Sequence, residues 1–139
     1  MYRRRSSQLR YDRDRQKDTP QNCQFCNPSK KNFVRELKNF FILKNIYPYD
    51  LWDKRRVEAH LMIVPRIHVV GLEDIDEDHL KEYFELLRYY AQLGYDSFTR
   101  SSQSPIKTKA HMHTHLIKPK GKIIRIMHFN DDPYFLYFK

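Results

Sequence analysis

The apolar positions of this chain fall into short clusters between polar connections, and one cluster runs at helical period. In DEDHLKEYFELLRYYAQLG (76–94), Leu80, Tyr83, Phe84, Leu87, Tyr90 and Ala91 recur at i, i+3, i+4 and i+7. That spacing gives a helix with one buried stripe. Asp76 suits the N-cap, Glu77 and Asp78 suit the positive end of the helix dipole, and Gly94 suits the stop. The other clusters are short and rich in aromatic and branched residues, as strands are. They are NFFILKNI (39–46), HLMIVPRIHVV (60–70), YDSFTRS (95–101), AHMHTHLI (110–117), KIIRIMHF (122–129) and YFLYF (134–138). Pro65 must lie at an edge, a bulge or a strand end. YPYDLWDKRRVEA (47–59) and SSQSPIKTK (101–109) read as polar connections, and NDDP (130–133) as a turn. The sum predicts an α+β domain over 21–139, with a mostly antiparallel sheet of about five strands and one long helix. Residues 1–20 show no apolar period and read as a flexible arm.

Composition adds limits. A chain of 139 residues with ten Tyr and nine Phe can bury a core without disulfides. Its two cysteines, Cys23 and Cys26 in CQFC, make a poor disulfide framework and a better metal half-site or redox pair. The formal charge of +9 favours phosphate-rich partners. The arm holds seven basic residues against three Asp, so nucleic acid is its functional alternative to a plain solvated tail. No run approaches the ~18 apolar residues of a membrane span. The basic start has no apolar core of the secretory kind. The expectation is a soluble, cytoplasmic protein with no membrane partner.

HMHTHLI (111–117) carries the chemistry. On a strand, His111, His113 and His115 share one face at ~6.6 Å per step. One metal ion with bonds of ~2 Å cannot easily take all three, so they should divide labour. Imidazole titrates near neutrality and serves as nucleophile, proton donor or ligand.

HMHTHLI resembles the histidine triad (HIT) pattern, His-x-His-x-His followed by two apolar residues. HLMIVPRIHV resembles the second signature of that family, and CQFC resembles its zinc-bearing branch. The resemblance covers roughly residues 22–119. It implies a HIT-like fold with minor helices beside the long one, and usually a homodimer. It implies a nucleotide hydrolase or nucleotidyl transferase that forms a nucleotidyl-histidine at the α-phosphate. Dinucleoside polyphosphates, phosphoramidates and adenylylated adducts are all candidate substrates. On these positions His113 becomes the nucleophile, His115 attends the phosphoryl oxygens and leaving group, and His60 completes the cluster. Thr108 matches a phosphate-binding hydroxyl. Lys107 stands where the family has Gln and the usual glycines are absent, so Lys107 and Arg100 would compensate with charge. Asn45 matches the ribose contact, and Ile46 and Leu43 line the base pocket or the core. Thr114 fills a slot that is usually apolar. A structural zinc is implied on Cys23, Cys26, His68 and His111, with His60 as the alternative third ligand. His79 and His128 read as ordinary residues.

The physical case runs the same way. A neutral imidazole attacks an anionic ester better than hydroxide does, and a covalent intermediate splits one hard displacement into two. Two readings compete. A small zinc finger built from CQFC with His111 and His115 fails on its 84-residue gap, against about a dozen in the finger pattern. The alternative that stands is a zinc-stabilised nucleic-acid-binding module without catalysis.

Overall fold

The computed structural model describes residues 2–14, 20–129 and 135–138, with side chains up to Arg125. Helix α1 spans Arg5–Asp14. Strands β1 (Phe33–Glu36), β2 (Phe40–Lys44), β3 (Leu51–Trp52) and β4 (Arg55–Pro65) precede helix α2 (Glu77–Gln92). Strands β5 (Asp96–Thr99), β6 (Thr114–Lys120), β7 (Ile126–Phe129) and β8 (Phe135–Phe138) follow, with short 3-10 turns at Pro20–Asn22, Lys30–Asn32 and Leu72–Asp74. The main sheet is antiparallel throughout its pairings, in the order β1-β2-β4-β6-β5, with β3 folded back on β4. A separate hairpin pairs β7 with β8. The α+β architecture is as the sequence predicts.

Both faces of the central strands are covered, which is why β2 and β6 lack a polar alternation. Phe40 and Ile42 face α2, joining Ile63, Tyr83, Leu86, Tyr90, Met112 and Leu116 in the main core. Their neighbours Phe41 and Leu43 face the other way, with Met62, Val64, Phe25 and Phe33. Each fully buried side chain of this kind contributes about 1.5–3 kcal/mol. In α2 the cap is as expected, with Asp76 accepting from the His79 N–H at 2.9 Å. Gly94 ends the segment at φ +80. The stripe is rotated from expectation: Leu86 is buried while Phe84 is 60% exposed.

Three expectations are corrected. The polar connection 47–59 is a hairpin: β3 and the first residues of β4 pair as Leu51↔Arg56 and Trp52↔Arg55. Its tip turns through Asp53 (φ 42) and Lys54 (φ 61). Strand β4 therefore starts earlier than the predicted 60–70 and stops at Pro65, where a missing N–H costs no ladder bond. Strand β6 starts at Thr114, so His111 and His113 precede it. Tyr2 bridges Leu51, and α1 follows. Residues 15–19 and the NDDP turn lie outside the described residues, as does the His128 side chain.

Candidate active site

Strands β4 and β6 set the site. The register pairs Met62 with His115 and His60 with Ile117, so His60 and His115 are diagonal neighbours. Both lie on the face away from α2 and both are buried. Their rings stand 5.1 Å apart, and His113 is 4.8 Å from His115. The three histidines proposed for chemistry therefore form one cluster, with His60 and His115 on strands and His113 just before β6.

Hydrogen-bond partners assign the tautomers. The Tyr49 N–H donates to His60 Nδ1 at 3.1 Å, so a neutral His60 keeps its proton on Nε2. That proton is directed at His115 Nδ1, 2.8 Å away, which leaves the His115 proton on its own Nε2. Asn45 Nδ2 also lies 3.1 Å from His60 Nε2. Its Oδ1 accepts from the Tyr47 N–H at 2.9 Å, so this contact is donor against donor and the His60–His115 bond prevails. His113 Nδ1 donates to the His111 carbonyl at 3.0 Å, which puts the lone pair of the neutral ring on Nε2.

Electrostatics keep two of these rings neutral. Burial first, then the charge of Arg3 and the neighbouring His113, pushes His60 down to about 3. Burial, then His113, His60, Arg100 and Arg3, pushes His115 down to about 2. At neutral pH the pair therefore works as a hydrogen-bond relay rather than as two cations.

A second cluster adjoins the first. One donor atom each from Cys23, Cys26, His68 and His111 lies within 4.8 Å of the others, close enough to hold a metal ion. Cys23 Sγ is 3.3 Å from His111 Nδ1, and Cys26 Sγ is 3.2 Å from His68 Nδ1. A tetrahedral zinc site holds its donors roughly 3.3–3.8 Å apart. His111 Nε2 donates to the Pro65 carbonyl at 3.0 Å, so Nδ1 offers a lone pair to the thiols. The donor chemistry and the fixed tautomer both fit a metal. His68, not His60, shares this group.

The triad opens on a pocket of about 470 Å³. Asn45, Ile46, Leu43, Thr108 and Arg100 line it together with His113 and His115. Lys107 does not; its ammonium donates to the Val70 carbonyl. Lys109 lines the pocket where charge compensation was expected of Lys107. Leu43 serves pocket and core at once.

The fold has counterparts among solved structures. A HIT family hydrolase from Legionella pneumophila Philadelphia 1 is 22% identical, with 72% of this chain and 95% of that one covered at a TM-score of 0.55. A HIT family hydrolase from Clostridium thermocellum is 21% identical, with 78% of this chain and all 100% of that one covered at 0.57. The fold is that of the HIT hydrolases. No family model matches the chain, and no curated protein does. In this chain the strand that carries His115 runs beside the one that carries His60. Among the described residues no helix is long and apolar enough to cross a membrane.

Several site residues escaped the sequence reading. Tyr49 stacks on His60 at 4.8 Å, and Phe98 stacks on His115 at 4.4 Å. Trp52 stacks on Phe98 in turn, at 5.4 Å, and its indole N–H donates to Asp96. Phe25, between the two cysteines, packs 5.1 Å from the His113 ring. Only Phe25 had a legible signal, because CQFC holds it wherever the cysteines converge.

Proposed function

We propose that this chain is a HIT family nucleotide hydrolase or nucleotidyl transferase acting at a nucleotide α-phosphate. The observation that carries the reading is the tautomer of His113. Its Nδ1 proton is committed to the His111 carbonyl, so Nε2 is left as a nucleophile in the pocket beside neutral His115, which His60 backs. In the first step Nε2 attacks phosphorus, a P–N bond forms, and the bond to the leaving group breaks. The leaving group departs with the electron pair of the broken bond and takes its proton from solvent, while the phosphorylated ring keeps its Nδ1–H on the His111 carbonyl. In the second step water or another acceptor attacks phosphorus and loses its proton to solvent, the P–N bond breaks, and neutral His113 is regenerated. The His115 Nε2–H, oriented through His60, donates to a phosphoryl oxygen as charge builds there. A proton supplied to the leaving group adds ~10²–10⁴-fold. Asn45 holds the ribose, and Ile46 with Leu43 supports the base.

The metal on Cys23, Cys26, His68 and His111 is zinc in this reading. Four protein ligands leave no open position, so its contribution is structural. It ties the chain start to His111, whose carbonyl orients His113. The reading also carries a homodimer and a cytoplasmic location.

A nucleotide panel tests the function. Adenosine and guanosine phosphoramidates, dinucleoside polyphosphates and adenylylated nucleic-acid ends are offered to the intact protein. Release of a nucleoside monophosphate from at least one class supports the reading. Tight binding of structured RNA with no turnover of any nucleotide would replace it with the nucleic-acid-binding module.

A further inference from the structure

The pocket has a wall that the triad and its strands do not build. Arg3, Tyr11 and Asp14, from the first turns of the chain, line the same cavity as His113 and His115. The segment is fastened at several points. The Arg3 guanidinium donates to the Tyr47 carbonyl through Nε at 3.2 Å and Nη2 at 3.1 Å. The Tyr11 hydroxyl donates to Thr108 Oγ1 at 3.0 Å, and the Tyr47 hydroxyl donates to Asp14 at 3.3 Å. The Arg4 N–H donates to Asp50 at 2.7 Å.

Ring contacts give the wall a direction. Phe25 covers His113, and His113 meets His115. His115 meets His60, and Tyr49 stacks on His60. The Arg3 guanidinium lies 4.6 Å over the Tyr49 ring and 4.5 Å over the Tyr11 ring. Arg3 thus stands at the far end of a contact series that starts at the nucleophile and passes through His115. Two aromatic faces hold its plane, and the Tyr47 carbonyl fixes its rotation. With the contact to Gln8 Oε1 at 3.5 Å, these bonds account for three of the five guanidinium N–H groups. A fixed fork of this kind matches phosphate better than a loose lysine does. The cavity is cationic besides: Arg3, Lys31, Lys44, Arg100 and Lys109 line it against one carboxylate, Asp14. One phosphate at His113 does not need that much charge.

We infer that the N-terminal segment Tyr2–Asp14 completes the substrate site, and that Arg3 selects nucleotides carrying further phosphate beyond the one His113 attacks. The assignment rests on the nucleotide reading above. The group on the far side of the scissile bond is then anionic, and it lies towards Arg3 and Tyr11. Arg3 acts here by binding, not by proton transfer.

The test measures equilibrium binding to the intact chain carrying His113→Ala, which prevents turnover. The probes are adenosine and guanosine 5′-monophosphates and 5′-triphosphates. The expected result is a triphosphate preference that falls about tenfold in Arg3→Met, the loss of one charge-assisted contact. Arg3→Lys, which keeps the charge but not the fork, should lose about half as much on a logarithmic scale. Circular dichroism and metal content of each variant establish that the domain is intact. An equal loss on mono- and triphosphates in both variants makes Arg3 a tether only and overturns the assignment. So does a wild-type site with no triphosphate preference, which leaves the nucleotide reading standing. Failure of every nucleotide to bind removes both.

Discussion

Thr114 separates His113 from His115, and its side chain points to the opposite face of the sheet. It is buried, and its hydroxyl lies 2.8 Å from the Tyr83 hydroxyl and 2.6 Å from Thr99 Oγ1. This three-hydroxyl node joins α2 and β5 to the start of β6. An apolar residue would pack there, but it would leave Tyr83 and Thr99 to each other at 3.1 Å. Thr114→Val should therefore cost about 1–2 kcal/mol of unfolding free energy, and Thr114→Ser much less. Urea denaturation of the two variants checks this. Equal stability of Thr114→Val and wild type would remove the node from the account. The sequence placed Thr114 between two site residues but could not supply its role, because Tyr83 and Thr99 reach it only through tertiary packing. The histidines differ in this respect. His113 and His115 stand out by their spacing and, for their roles, by the resemblance, while the proton on each had to wait for the Tyr49 N–H and the His111 carbonyl.

Among the elements, the turn Cys23–Cys26 governs most. Its thiols meet His111 and His68, and Phe25 between them packs on His113. Metal at this point would hold the nucleophile through two contacts at once. Elemental analysis should find about one zinc per chain, and Cys23→Ser should lose it together with most nucleotide turnover. Full turnover by a metal-free Cys23→Ser protein would separate the cluster from catalysis. This element was readable because ligand chemistry shows in residue types. The β3–β4 hairpin was not. Such tight turns favour Asn-Gly or Asp-Gly, and here Asp53 and Lys54 take the positive-φ positions, so the stretch passed for a polar connection. Helix α1 was hidden for a different reason: none of its residues is buried, so no apolar stripe marks it. It docks through Tyr11 and the neighbouring Arg3 instead.

For the whole molecule, the buried His60–His115 pair links folding to pH. Both are held neutral, down to about 3 and about 2, while an unfolded histidine titrates near 6.5. Below that value the unfolded chain binds more protons than the folded one, so stability rises with pH. The pair's contribution is complete above about pH 6.5 and is lost as pH falls towards the folded values. Each histidine adds a slope of up to about 1.4 kcal/mol per pH unit in that window. The double variant His60→Asn, His115→Asn should show a shallower fall in stability from pH 6.5 to 4.5 than wild type. Parallel curves would contradict the neutral pair. Any loss of metal in acid would affect both proteins alike, so the difference between them isolates the histidines.

The α+β architecture follows from local pattern, and the site from three sequence-distant segments meeting on one sheet face. The account's central claim is that His113 is the group that attacks phosphorus. The direct measurement is single-turnover cleavage, by wild type and His113→Ala, of whichever nucleotide the panel selects, with fold and metal content matched. The account predicts that His113→Ala loses on the order of 10³-fold or more in rate. It also predicts that acid-labile nucleotide stays on the wild-type protein alone. A His113→Ala protein that cleaves at the wild-type rate would contradict it.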